Sequence, residues 1–409
     1  MIFLAIFPII KLEVIKFLSS NRMSKRIFIL ITKAEVGGAQ MSVLNLAKGL
    51  TEKGIEVRLG FGEGNFLPQE LAGQGIGHTR FKYLKRTHNP LASLFFIWEI
   101  KKYFDKNSFS TVHINSSNAL LASLGAKLSR SRPRVVFTFR GMSILDENYK
   151  KNRFLRVFYK LYFKFFLKFV DEPVFVSQHN LELARQLGLA KRENLIYNGL
   201  KKSELDFYTD QQSLSELSSI LSKKTLAPGK GGSQLVRDND FLIGSIGRLA
   251  YQKNYEFLIS VFPRILEIGP NAKLVVIGEG PEGDNYRAKV KQAGLEESIF
   301  FPGGIDRAFR YLKTFDLFVL PSRYEGLSIT LIEALFAGVP VLASQVGGAS
   351  EMLNPEQLYS LDDKEEFLEK FRNIFGARGF REELSQRNRI KSEEFDIEKT
   401  VQSYLSLYS

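Results

Sequence analysis

The sequence predicts two successive α/β domains, each a doubly wound parallel sheet. Three observations predict this: a length of 409 residues, short apolar runs alternating with amphipathic segments from Arg26 onward, and a restart of that pattern after a polar stretch in mid-chain. At about 100–200 residues per domain, such a length calls for two or three domains. Strands buried in a parallel sheet read as continuous apolar runs, whereas the returning helices are apolar on one side only.

In chain order, 27–31 reads as the first buried strand and 42–53 as a helix ended by Gly54. Runs at 57–60, 111–114, 135–139 and 174–176 read as further strands of a first domain expected over 23–198. The second domain, expected over 199–385, has strand-like runs at 241–246, 274–277, 315–320 and 340–343, with helices over 255–268, 283–293, 328–337 and 364–375. Between them, 203–240 is rich in Ser, Lys, Gln, Gly and Asp and reads as connector or exposed insertion. The segment 386–409 is expected to be a C-terminal helix packing back on the N-terminal domain. Two such domains facing one another leave a cleft lined by the carboxyl ends of both sheets, where doubly wound folds bind ligands.

Residues 1–22 form an N-terminal extension. Its first ten residues are almost wholly apolar, but Lys11, Glu13 and Lys16 interrupt the run before the about 18–20 residues a spanning helix needs. No basic region precedes it and no small-residue cleavage pattern closes it, so a secretory signal is not expected either. Two readings stay open: a natural start at Met23, and a short interfacial anchor.

Composition excludes several chemistries. With no cysteine there is no disulfide framework, thiolate metal site, iron–sulfur cluster or cysteine nucleophile, and four scattered histidines argue against catalytic zinc. The net charge of +13 is uneven: residues 1–190 carry 29 Lys+Arg against 13 Asp+Glu, while the remainder carries 28 against 31. The first half therefore faces an anionic partner, such as a nucleic acid, an acidic saccharide or an anionic membrane leaflet.

The most informative stretch runs from Pro321 to Val341. A strand ends, a loop carries Glu325-Gly326-Leu327, and a helix begins near Ser328 with Glu333 about one and a half turns in. A glycine before a helix lets backbone N–H groups approach a ligand, and a helix amino terminus favours anionic oxygen, so a diphosphate suits this place. Another strand runs into a loop carrying Arg248 and Lys253, two cations placed to clamp a departing diphosphate. Ile277-Gly278-Glu279-Gly280-Pro281 ends a further strand with two glycines. In the first domain, Gly37-Gly38 follows the first strand in a turn that fits neither Gly-x-Gly-x-x-Gly nor the phosphate-loop pattern.

Gly37-Gly38, Gly247-Arg248 with Lys253-Asn254, Gly278 to Pro281, Glu325 to Glu333 spaced as Glu-x7-Glu, and Ala337-Gly338-Val-Pro340 with Gly347-Gly348 and Glu351 together resemble family 4 retaining glycosyltransferases of the GT-B fold. The resemblance runs in order from about Lys25 to about Asn354, and Ile196-Tyr-Asn-Gly199 is similar to that family's interdomain boundary. It implies two Rossmann-like domains and transfer of a sugar from a nucleotide sugar, a UDP-sugar above all, with retention. It implies no cofactor and no metal between the phosphates. Arg248 and Lys253 would hold the diphosphate, Glu325 the donor sugar hydroxyls and Glu333 the ribose. Backbone at Gly326, Leu327 and Ser328 would meet phosphate or sugar, with Gly37, Gly38, Gly278 and Gly280 allowing close approach of the donor. The chain departs from the family at Thr138-Phe-Arg140-Gly141, where many relatives carry His; Arg140 cannot take a proton but can touch phosphate or an acidic acceptor. His113 is the remaining histidine near that strand end, as a catalytic candidate or a structural one.

Over 148–169, Arg153, Arg156, Lys160, Lys164 and Lys168 interleave with nine aromatic residues, and the last four cations recur every fourth residue. On a helix they form one basic stripe beside an aromatic surface, suited to an anionic membrane or acceptor face. Nucleic acid is not expected, because no recognition helix or exposed-strand aromatic motif accompanies the charge. The expected function is transfer to a lipid-linked or saccharide acceptor in cell-surface polysaccharide synthesis (O-antigen, capsule or exopolysaccharide), on the cytoplasmic face of the membrane. The alternatives are a soluble transferase with a small acceptor, and a noncatalytic nucleotide-sugar-binding scaffold.

Overall fold

The computed structural model describes residues 26–86, 89–142, 144–146, 148–149, 153–208, 210–225 and 239–408. The N-terminal extension therefore lies outside the described residues. The first sheet contains β1 (Arg26–Lys33), β2 (Glu56–Glu63), β3 (Gly77–Arg80), β4 (Thr111–Ile114), β5 (Arg134–Phe139), β6 (Glu172–Phe175) and β7 (Asn194–Leu195), in the order β3-β2-β1-β4-β5-β6-β7. The second contains β8 (Phe241–Ile246), β9 (Ala272–Ile277), β10 (Ile299–Gly303), β11 (Leu317–Leu320), β12 (Val341–Ser344) and β13 (Leu358–Tyr359), in the order β10-β9-β8-β11-β12-β13. Every described strand register is parallel. Both sheets are doubly wound, as the alternation of apolar runs predicts.

The predicted strands all form, and the helices Tyr255–Ile268, Gly283–Gln292, Ile329–Ala337 and Lys364–Gly376 follow the apolar spacing closely. Four strands carry too little signal to be read. β3 is Gly-His-Thr-Arg at a sheet edge, β7 and β13 are two residues each, and β10 contains a proline. The segment 203–240 needs correction: it is not all connector. Asp210–Thr225 is a helix that packs against β10 and the turn Ala308–Thr314. Leu217 and Leu221 are buried there, one helical turn apart, inside a composition otherwise typical of a loop. Where one helix was expected over 386–409, the chain forms Arg378–Ser392 and Ile397–Leu407. The break lets Leu200 pair with the chain at Phe395 and Ile397 (Leu200 N to Phe395 O, 2.9 Å; Ile397 N to Leu200 O, 3.0 Å).

Contacts divide the chain into two compact units. One holds the described residues up to Thr138, Phe166–Glu172 and the segment from Leu405; the other holds Phe139–Phe165 and Pro173–Tyr404. In the first, His113 lies fully buried on β4. Its Nε2 is 2.7 Å from Thr138 Oγ1 and its Nδ1 2.7 Å from Tyr408 Oη, so both ring nitrogens are engaged in the core. In the second, an apolar cluster packs the helices 255–268 and 364–376 against β8, β9 and β11.

Removing the Tyr408 hydroxyl removes a buried hydrogen bond to His113, at a cost of about 0.5–1.5 kcal/mol. Tyr408→Phe is expected to lower stability to chemical denaturant by that amount while leaving ligand binding intact.

Candidate functional site

The strand order of the second sheet reverses between β8 and β11, so the loops leaving those two strands diverge and open a crevice at their carboxyl ends. The sequence places its chemistry on those loops. Residues 247–254 follow β8 with Arg248 and Lys253, and residues 321–328 follow β11 with Glu325, Gly326, Leu327 and Ser328.

The loops are tied to each other. Arg323 N donates to Gln252 O (2.8 Å) and Gln252 Nε2 to Tyr324 O (3.0 Å). Lys253 Nζ donates to Glu325 Oε1 at 2.6 Å, Ser322 Oγ reaches the same oxygen at 2.7 Å, and both charged side chains are largely buried. Asn254 holds the turn in the left-handed conformation (φ 56°), where its amide accepts from Arg323 and donates to Asp362 Oδ1 at 2.9 Å. Glu325 thus balances Lys253. Arg248 is exposed and has no ion pair among the described residues, which leaves it as the cation open to an anionic ligand.

The glycines after β9, expected to allow close approach of the donor, pack against the protein's own backbone. A Cβ at Gly278 would lie 2.0 Å from Gly247 O, and one at Gly280 2.3 Å from Leu249 O. The turn lies flat on the backbone that carries Arg248, joined by Leu249 N to Glu279 O and Glu282 N to Leu249 O, both 2.9 Å. These residues shape the cation loop.

Ser328 caps the helix Ile329–Ala337, its hydroxyl accepting from Leu331 N. Just over one turn in, Glu333 is half-buried with no hydrogen bond or ion pair among the described residues, and burial pushes its carboxyl up to about 8. At neutral pH Glu333 is therefore largely an uncharged acid. The set of Arg248, Lys253, Glu325 and Glu333 then carries a net positive charge, suited to a diphosphate.

Arg140 also lies in this second unit. Its Nη1 is 2.5 Å from Asn198 Oδ1, and Asn198 Nδ2 donates to Leu327 O at 3.1 Å. Its carbonyl oxygen would sit 2.2 Å from a Cβ at Gly326, so only glycine fits there. Sequence reasoning missed Asn198, whose one signal is the Asn-Gly step at the expected boundary. Glu351 serves the fold: its carboxylate accepts from Gln178 N (2.8 Å) and His179 N (3.1 Å), capping the helix Gln178–Gln186.

The remaining candidates lie on other elements. His113 is held in the core as described. Gly37 and Gly38 belong to the first unit, at the uncapped amino terminus of the 15-residue helix Gly38–Glu52, which begins a turn earlier than its apolar spacing indicates. Arg156 donates to Leu145 O at 3.0 Å, Lys160 is partly buried, and Lys164 and Lys168 are exposed. The side chain of Arg153 lies outside the described residues.

Residues 36–204 match the family described as Glycosyltransferase Family 4, and residues 232–391 match Glycosyl transferases group 1. The chain belongs to glycosyltransferase family 4. It is 35% identical over 164 residues to an uncharacterized glycosyltransferase of Methanocaldococcus jannaschii, covering 40% of this chain and 38% of that protein. It is 30% identical over 183 residues to a Vi polysaccharide biosynthesis protein of Salmonella typhi, covering 42% of this chain and 31% of that protein. The chain thus spans about a third of the length of these two relatives. Among solved structures, Anabaena HepE in complex with UDP-glucose superposes with a TM-score of 0.75 at 19% identity, covering 93% of this chain and 99% of that one. This family 4 chain therefore has the GT-B fold.

The buried acid gives a pH signature. An unfolded glutamate ionises near its ordinary value of 4.5, whereas folded Glu333 stays protonated up to about 8. Folding thus loses stability from this group as pH rises between those values. Glu333→Gln is expected to raise the thermal midpoint by an amount that grows from pH 5 to pH 8 and then levels off, measured by thermal scans across that range.

Proposed function

We propose that this protein transfers a sugar from a nucleotide sugar, a UDP-sugar above all, with retention of configuration, onto a lipid-linked saccharide in cell-surface polysaccharide synthesis. The observation that carries the reading is the pair of tied loops at the strand-order reversal of the second sheet. There Arg248 and Lys253 stand beside a capped helix amino terminus. The HepE structure with UDP-glucose supports the donor class, and the Vi polysaccharide relative supports the product class.

In this mechanism the diphosphate lies against the amino end of Ile329–Ala337, and Arg248 and Lys253 neutralise the charge that grows as the bond from anomeric carbon to phosphate oxygen breaks. Positive side chains supply the stabilisation that a divalent ion supplies elsewhere, so no metal between the phosphates is invoked. Glu325 orients Lys253 and meets the sugar hydroxyls, and Glu333 receives the ribose hydroxyls. The acceptor oxygen attacks from the face the diphosphate leaves, and its proton goes to the departing phosphate oxygen. Asn198 and Arg140 fix the Leu327 carbonyl and with it the loop that meets the donor.

The membrane part of the reading rests on the helix Arg153–Phe166. Phe163 faces the core, whereas Phe154, Val157, Phe158, Leu161 and Phe165 are exposed, beside the Lys164 charge. That arrangement suits a cytoplasmic leaflet rich in anionic lipid. No helix among the described residues is long and apolar enough to cross a membrane, so the proposed attachment is peripheral.

A donor screen with UDP-, GDP-, dTDP- and ADP-sugars tests the activity. One donor is expected to bind and turn over, and Lys253→Ala or Arg248→Ala to lower turnover by roughly 10²–10³-fold, the scale of one transition-state donor. Donor binding without turnover on any saccharide acceptor would favour the scaffold reading, and no binding to folded protein would overturn the proposal. Phe158→Glu with Leu161→Glu is expected to reduce co-sedimentation with anionic vesicles without affecting donor binding.

A further inference from the structure

A second apolar face stands in solvent, on the helix Pro90–Lys106 of the first unit. This helix meets its own core through Phe96, Ile100 and Phe104, which are buried. On its other side Leu91, Leu94, Phe95 and Trp98 are 63%, 62%, 51% and 53% exposed. Their spacing of three, four and seven residues places them on one face. Single exposed hydrophobics are ordinary, but four on one helix face, extended by Tyr83 stacked on Phe95 at 5.1 Å, make a contiguous patch that marks an interaction site.

The rim of the patch names its partner. Lys82 Nζ sits 5.4 Å over the Tyr83 ring and Lys102 Nζ 3.4 Å over the Trp98 ring, and Lys85 and Arg86 are exposed just after Tyr83 in the chain. The nearest acids are committed elsewhere: Glu99 accepts from Lys82 N and Tyr83 N, and Asp105 pairs with Lys101 and accepts from Arg130 N. An apolar strip in a basic collar, with a tryptophan and a tyrosine at its edge, matches the boundary of an anionic bilayer, where aromatic rings settle among headgroups and lysines reach toward phosphates. A second copy fits poorly, since a symmetric contact would set the same cations against each other.

We propose that the Leu91–Trp98 face enters the headgroup layer of an anionic membrane as an attachment point additional to Arg153–Phe166. The proposal rests on the reading that this enzyme works at a membrane.

Trp98 is the chain's single tryptophan, so its fluorescence reports this face alone. The full-length protein is titrated with phosphatidylglycerol–phosphatidylcholine vesicles, with and without brominated acyl chains, alongside co-sedimentation. A blue shift and bromine quenching of Trp98 that follow co-sedimentation and weaken in high salt are expected. Leu91→Ser with Leu94→Ser, both at exposed positions and checked for fold by circular dichroism, is expected to weaken vesicle binding at least about tenfold, because two leucine side chains leave the apolar layer. Vesicle binding with unshifted, unquenched Trp98 overturns this proposal and leaves Arg153–Phe166 as the contact. No vesicle binding at all overturns both. A Trp98 shift that appears without lipid as protein concentration rises assigns the face to a second copy and overturns the proposal, as does equal binding to purely zwitterionic vesicles.

Discussion

The reversal of strand order between β8 and β11 is the constraint on which the rest of the site depends. Parallel strands must be joined by crossovers, and where successive crossovers turn to opposite sides, the loops at that point cannot cover each other. The chain then has a gap at one sheet end and must hold its edges apart at a fixed width. It does so with backbone hydrogen bonds across the gap and a largely buried Lys253–Glu325 pair. A lysine or a glutamate alone in such a place would lose hydration without recompense. Paired at 2.6 Å they hold each other in place, so that the ammonium is already in position when an anionic ligand arrives. The neighbouring turn at Gly278–Gly280 serves the same end, because no side chain fits between it and the loop carrying Arg248.

Charge is distributed on a larger scale by the same logic. The second half of the chain is nearly neutral and concentrates its few decisive cations on one loop, whereas the first half spreads its excess over helix surfaces. A localised cation recognises a compact anion such as a diphosphate. A spread collar recognises an extended anionic surface, where no single contact matters and the sum does. The two halves of the chain thus carry different kinds of electrostatic information.

Much of this was legible in the sequence, for identifiable reasons. Strands buried on both faces, such as β1, β4 and β11, consist of apolar runs and can be read directly; β3 and β13 are short and lean on neighbours for their existence, so their own residues say little. Arg248, Lys253, Glu325 and Glu333 were visible because charged groups beside glycines at strand ends are unusual. Their setting was not: that Glu325 is paired, that Glu333 is a half-buried acid with no partner among the described residues, and that Asn198 links Arg140 to Leu327 are facts of distance between residues far apart in sequence. The helix Asp210–Thr225 was hidden by its surface, since serines and lysines outnumber the few leucines that bury it. The exposed face of Pro90–Lys106 was hidden for the opposite reason, because an apolar helix looks the same in sequence whether one or both of its sides are covered.

The hydrogen bond between Tyr408 and His113 bears on how the chain comes to be folded. The first compact unit draws on the amino-terminal strands and on the segment from Leu405. During synthesis its sheet emerges early, yet the hydroxyl that satisfies a buried imidazole at its centre emerges only after the entire second unit has left the ribosome. The polar pairing in the core of the early unit is therefore completed by a segment that follows the second unit in the chain.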